Sequence, residues 1–151
     1  MKIIIRSSLL LLCMVLSESV LAEENKSNSS ICDKYVSAAE FGIKVKHMKG
    51  APKEELGMYI AWMIGKPLIE DLKLNGPERL QFGKEIALAG PYESKEQEIK
   101  IASLYFGTSC DLKMNGSAVK AYSKLTEKFK NCTKLNSDVK VKECFVKTIK
   151  I

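Results

Sequence analysis

Four cysteines follow the first 30 residues of this 151-residue chain: Cys32, Cys110, Cys132 and Cys144. A cysteine can ligate a metal, attack a substrate or close a disulfide. Metal binding wants closely spaced cysteines and histidines. No C-x-x-C pair exists, and His47 is the only histidine. An even count in a chain with an export leader reads instead as two disulfides, for which three pairings exist. No metal ligands and no cofactor are expected.

His47 lies among Lys44, Lys46 and Lys49. As a general base it would need an orienting carboxylate and a nucleophile, and spacing identifies neither. An exposed or helix-end histidine is expected. Glu54 and Glu55, and Glu93, Glu96 and Glu98, form two carboxylate groups. Paired carboxylates can cleave glycosides when held apart at a sugar cleft. Both groups fall at helix starts, where the helix dipole favours acidic residues. The chain has no G-x-S-x-G, H-E-x-x-H, phosphate-binding loop or dinucleotide fingerprint. No catalytic residues are assigned and an enzyme is disfavoured.

Trp62, near Tyr59 and Met63, has the chemistry of an interface anchor. The simpler expectation is that it extends the core, as is expected of Tyr92 and of Tyr105 with Phe106. Four N-x-S/T sequons begin at Asn25, Asn28, Asn115 and Asn131. They are read as chance products of a chain rich in Lys, Asn and Ser.

These residues must be placed by the elements around them. Residues 1–22 read as a secretory signal peptide, with Lys2 and Arg6 before an apolar run from Leu9 to Leu16. Val20 and Ala22 suit cleavage after Ala22. Leu12 does not supply the small residue that acylation of Cys13 would need. No other stretch approaches the roughly 20 apolar residues of a membrane span, so the mature chain is expected to be periplasmic or secreted. Residues 23–30 form a polar, flexible N-terminus, and 31–151 a single helical domain.

A first helix is expected from Ser29 or Ser30 to Lys49, ended by Gly50. A second begins at Pro52 and buries Leu56, Tyr59, Ile60, Met63 and Ile64, up to Gly65-Lys66-Pro67. Leu68 to Leu74 reads as a short turn or helix. Asn75-Gly76-Pro77 opens the next helix, which runs to Gly90-Pro91. Ser94 and Gln97 have capping-box spacing and start a helix through Ile101, Leu104, Tyr105 and Thr108 to Cys110. Ser117 is expected to cap a helix burying Ala118, Tyr122, Leu125, Phe129 and Cys132. Val139 to Ile151 fits both a helix and an edge strand. The helix is preferred, because no other segment reads as a partner strand.

The fold class is therefore all-α: a small antiparallel bundle stapled by two disulfides, with a C-terminal helical hairpin. In an up-down order Cys32 and Cys110 share one end of the bundle, so Cys32–Cys110 and Cys132–Cys144 are the preferred pairs. The net charge is +6, with lysines interleaved with Glu. That pattern is usually a solvated helical surface, not a nucleic-acid patch.

Cys32 ahead of Ala38-Ala39, then Lys46, Gly50 and Pro52, then Ile86–Tyr92 (IALAGPY) and Leu104–Cys110 (LYFGTSC), form a loose pattern. It resembles small, uncharacterised, disulfide-bonded, all-helical periplasmic proteins of Gram-negative bacteria. The resemblance spans Cys32 to Cys110. It implies a periplasmic helical domain with those two cysteines paired, and implies no activity. Together these features suggest an exported protein-binding module, with another envelope or toxin protein as partner. An immunity or inhibitor protein against a toxin or envelope hydrolase is one such form. The alternative is a structural or stress-protective periplasmic protein without a specific partner.

Overall fold

The computed structural model describes residues 31–64 and 74–151. The expected leader over 1–22, the stretch 23–30, and Gly65-Lys66-Pro67 with nearly all of the turn after it lie outside the described residues. Six α-helices are described: α1 (31–46), α2 (Leu56–Met63), α3 (Gly76–Leu88), α4 (Lys95–Met114), α5 (Thr126–Cys132) and α6 (Asp138–Ile149). A single 3₁₀ turn, Tyr122–Lys124, precedes α5. The chain is an all-α bundle, with α5 and α6 as a C-terminal hairpin.

α1 ends at residue 46, three short of the expected Lys49, and the turn closes on Gly50 at φ +87°. Only glycine takes that conformation without a Cβ penalty. Its buried face holds Ala38, Ala39, Gly42, Ile43 and Val45, while Met48 stays outside. α2 begins at Leu56, so Pro52, Glu54 and Glu55 precede it instead of forming its first turn. Glu55 provides no side-chain cap there.

α3 has a full capping box. The Asn75 side chain accepts from Glu78 N–H at 2.9 Å, and the Glu78 carboxylate accepts from Asn75 N–H at 3.0 Å. The α4 cap departs from the expected box. Ser94 Oγ accepts from Gln97 N–H, but Gln97 Oε1 accepts from Glu93 N–H, one residue further back.

The helix expected from Ser117 is replaced by irregular chain, the 3₁₀ turn and α5. Val119 bridges antiparallel to Lys150, Lys120 N–H donates to Ile149 O, and Ile151 N–H donates to Ala118 O. Lys120 Nζ donates to the Thr148 and Lys150 carbonyls, and Tyr105 O–H donates to Lys120 O at 2.7 Å. The backbone of 118–120 thus pairs with the chain end and the core, an option no local pattern reveals. The apolar register survives the break, because Tyr122, Leu125, Phe129 and Cys132 are all buried.

Both preferred disulfides are present. Cys32–Cys110 spans 78 residues and Cys132–Cys144 spans 12. In the chain-entropy picture the first contributes roughly 4–5 kcal/mol and the second roughly 3 kcal/mol. The first joins α1 to the far part of α4, and the second closes the α5–α6 hairpin. Phe129 and Phe145 stack inside that hairpin with ring centroids 4.6 Å apart. Tyr105, Phe106 and Tyr122 pack against one another at 4.9–5.4 Å and join this stack to the rest of the core.

The first three helices meet at glycines. A Cβ on Gly42 would lie 2.7 Å from Ile86 Cδ1 and 3.1 Å from Ile60 Cγ2. A Cβ on Gly83 would overlap the Gly57 carbonyl oxygen and sit 3.0 Å from the Ala61 nitrogen. These are backbone atoms of α2 and cannot rotate aside. Gly83→Ala gains up to about 1 kcal/mol of helix propensity and loses about 1–3 kcal/mol to overpacking. The clash is expected to win, so chemical denaturation should show Gly83→Ala less stable than wild type. An increase in stability would mean that α2 and α3 are not in backbone contact.

Candidate functional site

The densest polar cluster joins three helix ends. Lys46 closes α1, His47 follows it, Ile86 and Ala89 end α3, and Glu98 lies in the first turns of α4. The Lys46 ammonium donates to Ile86 O at 3.1 Å, Ala89 O at 2.6 Å and Glu98 Oε1 at 2.6 Å. An ammonium has three donors, so all are used. Glu98 is 2 % exposed, and its Oε2 lies 2.6 Å from His47 Nε2.

The electrostatics explain why charges are tolerated here. Carbonyls at a helix C-terminus lack intrahelical partners and carry partial negative charge. Lys46 meets two of them. Glu98 sits at the positive end of α4, and both its oxygens are engaged. Isolation of either charge at this depth would be heavily disfavoured; together they satisfy each other.

His47 is exposed at the end of α1, as expected, while Glu98, expected among the acids at a helix start, and Lys46, expected with the solvated lysines, are drawn inward. Glu98 is the carboxylate that spacing could not identify, because it lies 51 residues from His47. Glu93 and Glu96 stay exposed, as do Glu54 and Glu55. The one legible signal was Lys46 itself, on the side of α1 next to buried Val45. A His–carboxylate pair is two thirds of a nucleophile-activating triad. Among the described residues no hydroxyl or thiol bonds His47, and the other Glu98 oxygen is held by Lys46. As placed, the cluster ties the three helices together.

Tyr105 and Phe106 are buried as expected. Tyr92 is half-buried, and its hydroxyl donates to the Tyr122 hydroxyl at 3.0 Å. Burial pushes the Tyr105 and Tyr122 phenols well above the ordinary tyrosine range, which keeps them neutral hydrogen-bonding groups. The four cysteines are all in disulfides. Asn115 and Asn131 are exposed, whereas Asn25 and Asn28 lie outside the described residues.

Trp62 does not extend the core. It is 70 % exposed, with Met58 at 53 % beside it. The inward face of α2 is narrow, formed by Gly57, Ile60, Ala61 and Ile64 against α1 and α3. Met58 and Trp62, four residues apart, therefore share the outward face. Tyr59 stacks on Trp62, with ring centroids 6.4 Å apart and planes inclined by 28°. This makes a small preformed aromatic and thioether surface.

A cleft of about 430 Å³ opens between α1, α3 and α4 over Tyr35, Phe82 and Phe106. Glu78 and Glu85 on its rim are already hydrogen-bonded, Glu78 to Asn75 N–H and Glu85 to the Ser123 backbone and hydroxyl. No helix among the described residues is long and apolar enough to cross a membrane. Compared with protein-family models, curated proteins and solved structures, the chain matches none.

The polar cluster gives a clean stability test. Lys46→Met leaves Glu98 without its main cation, and Glu98→Leu leaves Lys46 without its anion. Each is expected to lose about 3–5 kcal/mol. The double variant should lose clearly less than their sum, because it removes both charges at once. Urea unfolding of the four proteins measures the coupling. Strict additivity would show that the contact does not form.

Proposed function

We propose that the protein is an exported protein-binding module of the bacterial envelope, acting as an immunity or inhibitor protein against a toxin or envelope hydrolase. The observation that carries this reading is the outward face of α2, where Trp62 and Met58 stand exposed and half-buried Tyr59 stacks against Trp62. Trp, Tyr and Met are enriched at the cores of protein interfaces, and Trp and Tyr among hot spots. The two rings already stack on each other, so little side-chain freedom remains to be lost on docking.

The rest of the chain supports a binding role. Two disulfides suit an oxidising compartment and hold the scaffold that presents α2. The Lys46–Glu98–His47 cluster is used within the scaffold. A folded protein surface with an apolar pocket is the matching partner. Glu54 and Glu55, exposed just before α2, would form the polar rim of the contact.

The test uses oxidised protein as bait in envelope extract, followed by titration with the captured partner. Trp62→Ala should weaken that complex by about 2 kcal/mol or more, roughly 30-fold. Its melting temperature should be nearly unchanged, since Trp62 makes little contact with the core. Full affinity in Trp62→Ala would remove the α2 face from the interface.

A further inference from the structure

The net charge is not evenly distributed. Residues 118–151 hold nine lysines against Glu127, Asp138 and Glu143, a net +6 that equals the charge of the whole chain. Residues 1–117 sum to zero. Asymmetry of this kind points to a polyanionic surface as partner.

The fold gathers part of that charge onto one face. α6 buries Val141, Phe145 and Ile149 against the bundle. Its opposite face presents Val139, Lys142 and Val146 at helical spacing, flanked by Lys140 and Lys147, with Glu143 among them and Lys150 just past the helix end. All are exposed, Val139 at 66 % and Val146 at 39 %. Within residues 118–151, the ion pair among described residues is Lys130–Glu127, so the α6 lysines are not neutralised by salt bridges.

The composition discriminates between polyanions. This region contains no arginine, the residue that reads base edges and grips phosphates in bidentate fashion. Its aromatics, Tyr122, Phe129 and Phe145, are fully buried, so none can stack on a nucleic-acid base. What remains outside on this face is mainly lysine and aliphatic carbon, with Glu143 among them and Asp138 at the helix start. Anionic headgroups attract clustered lysines, and the acyl boundary accepts short aliphatic side chains. We infer that the outer face of α6 docks the protein onto an anionic phospholipid bilayer surface. Val139 and Val146 meet the headgroup boundary, and Lys140, Lys142, Lys147 and Lys150 meet the phosphates. The face is separate from α2, so a protein partner and a membrane surface do not compete for the same residues.

Co-sedimentation with vesicles tests this. The protein is purified in the processed form that cells make, its N-terminus fixed by mass. It should bind phosphatidylglycerol-containing vesicles at low salt, lose them as salt rises, and ignore pure phosphatidylcholine. Replacing Lys140, Lys142 and Lys147 by Gln should weaken binding roughly 100-fold, at about fivefold per lysine. Replacing the same three by Arg should restore it. Helix content and melting temperature, followed in parallel, establish that both variants fold. Three results would overturn the proposal: equal affinity for neutral vesicles, an unchanged affinity in the folded Gln variant, or tighter binding to duplex DNA or polyglutamate than to the vesicles.

Discussion

One lysine holds the bundle's polar interior together. The Lys46 ammonium reaches two carbonyls that end α3 and the carboxylate that begins the inner face of α4. Three helices therefore converge on one cation. Removing Lys46 would strand Glu98 with almost no water contact, and removing Glu98 would leave a largely buried ammonium without its anion, so the arrangement persists or fails as a unit. His47 completes the shell of Glu98 from the outer side. Around this point the apolar core closes in two directions, toward the Gly42–Ile60–Ile86 contact and toward Tyr105, Tyr122 and Phe129.

That constraint also decides what remains outside. α2 approaches α3 so closely, through Gly57 and Gly83, that only a narrow strip of it can be buried. Its large side chains at 58 and 62 have no room inward. α6 is held by the Cys132–Cys144 bridge and by Phe145, so its lysine-bearing side is turned away from the bundle. The two faces assigned to partners follow from how the core closes.

Much of the fold was legible because its signals are local. Ser94 caps α4, Gly50 and Gly90-Pro91 lie at helix ends, and the even cysteine count with the helix order indicated both disulfides. The misses share a cause. Lys46 and Glu98 are 52 residues apart, and nothing in either neighbourhood marks one as the partner of the other. The helix expected from Ser117 was right about buried Tyr122, Leu125, Phe129 and Cys132 but not about Ala118, which is exposed, because its first turn lost to backbone pairing with the distant Lys150 and Ile151. Trp62 was placed inside because an apolar residue beside an apolar stripe looks internal. The closeness of α2 to α3, set by two glycines in different helices, is what excludes it.

Trp62 is the only tryptophan in the chain, and its fluorescence reports directly on the face assigned to a protein partner. The most direct measurement is its emission as a captured envelope or toxin protein is titrated in, with a tryptophan-free version of that partner or a selectively labelled Trp62. Emission of the free protein is expected to be red and readily quenched, shifting to the blue and becoming protected from quencher at one-to-one stoichiometry. A partner that binds tightly while Trp62 stays red and quenchable would contradict that assignment.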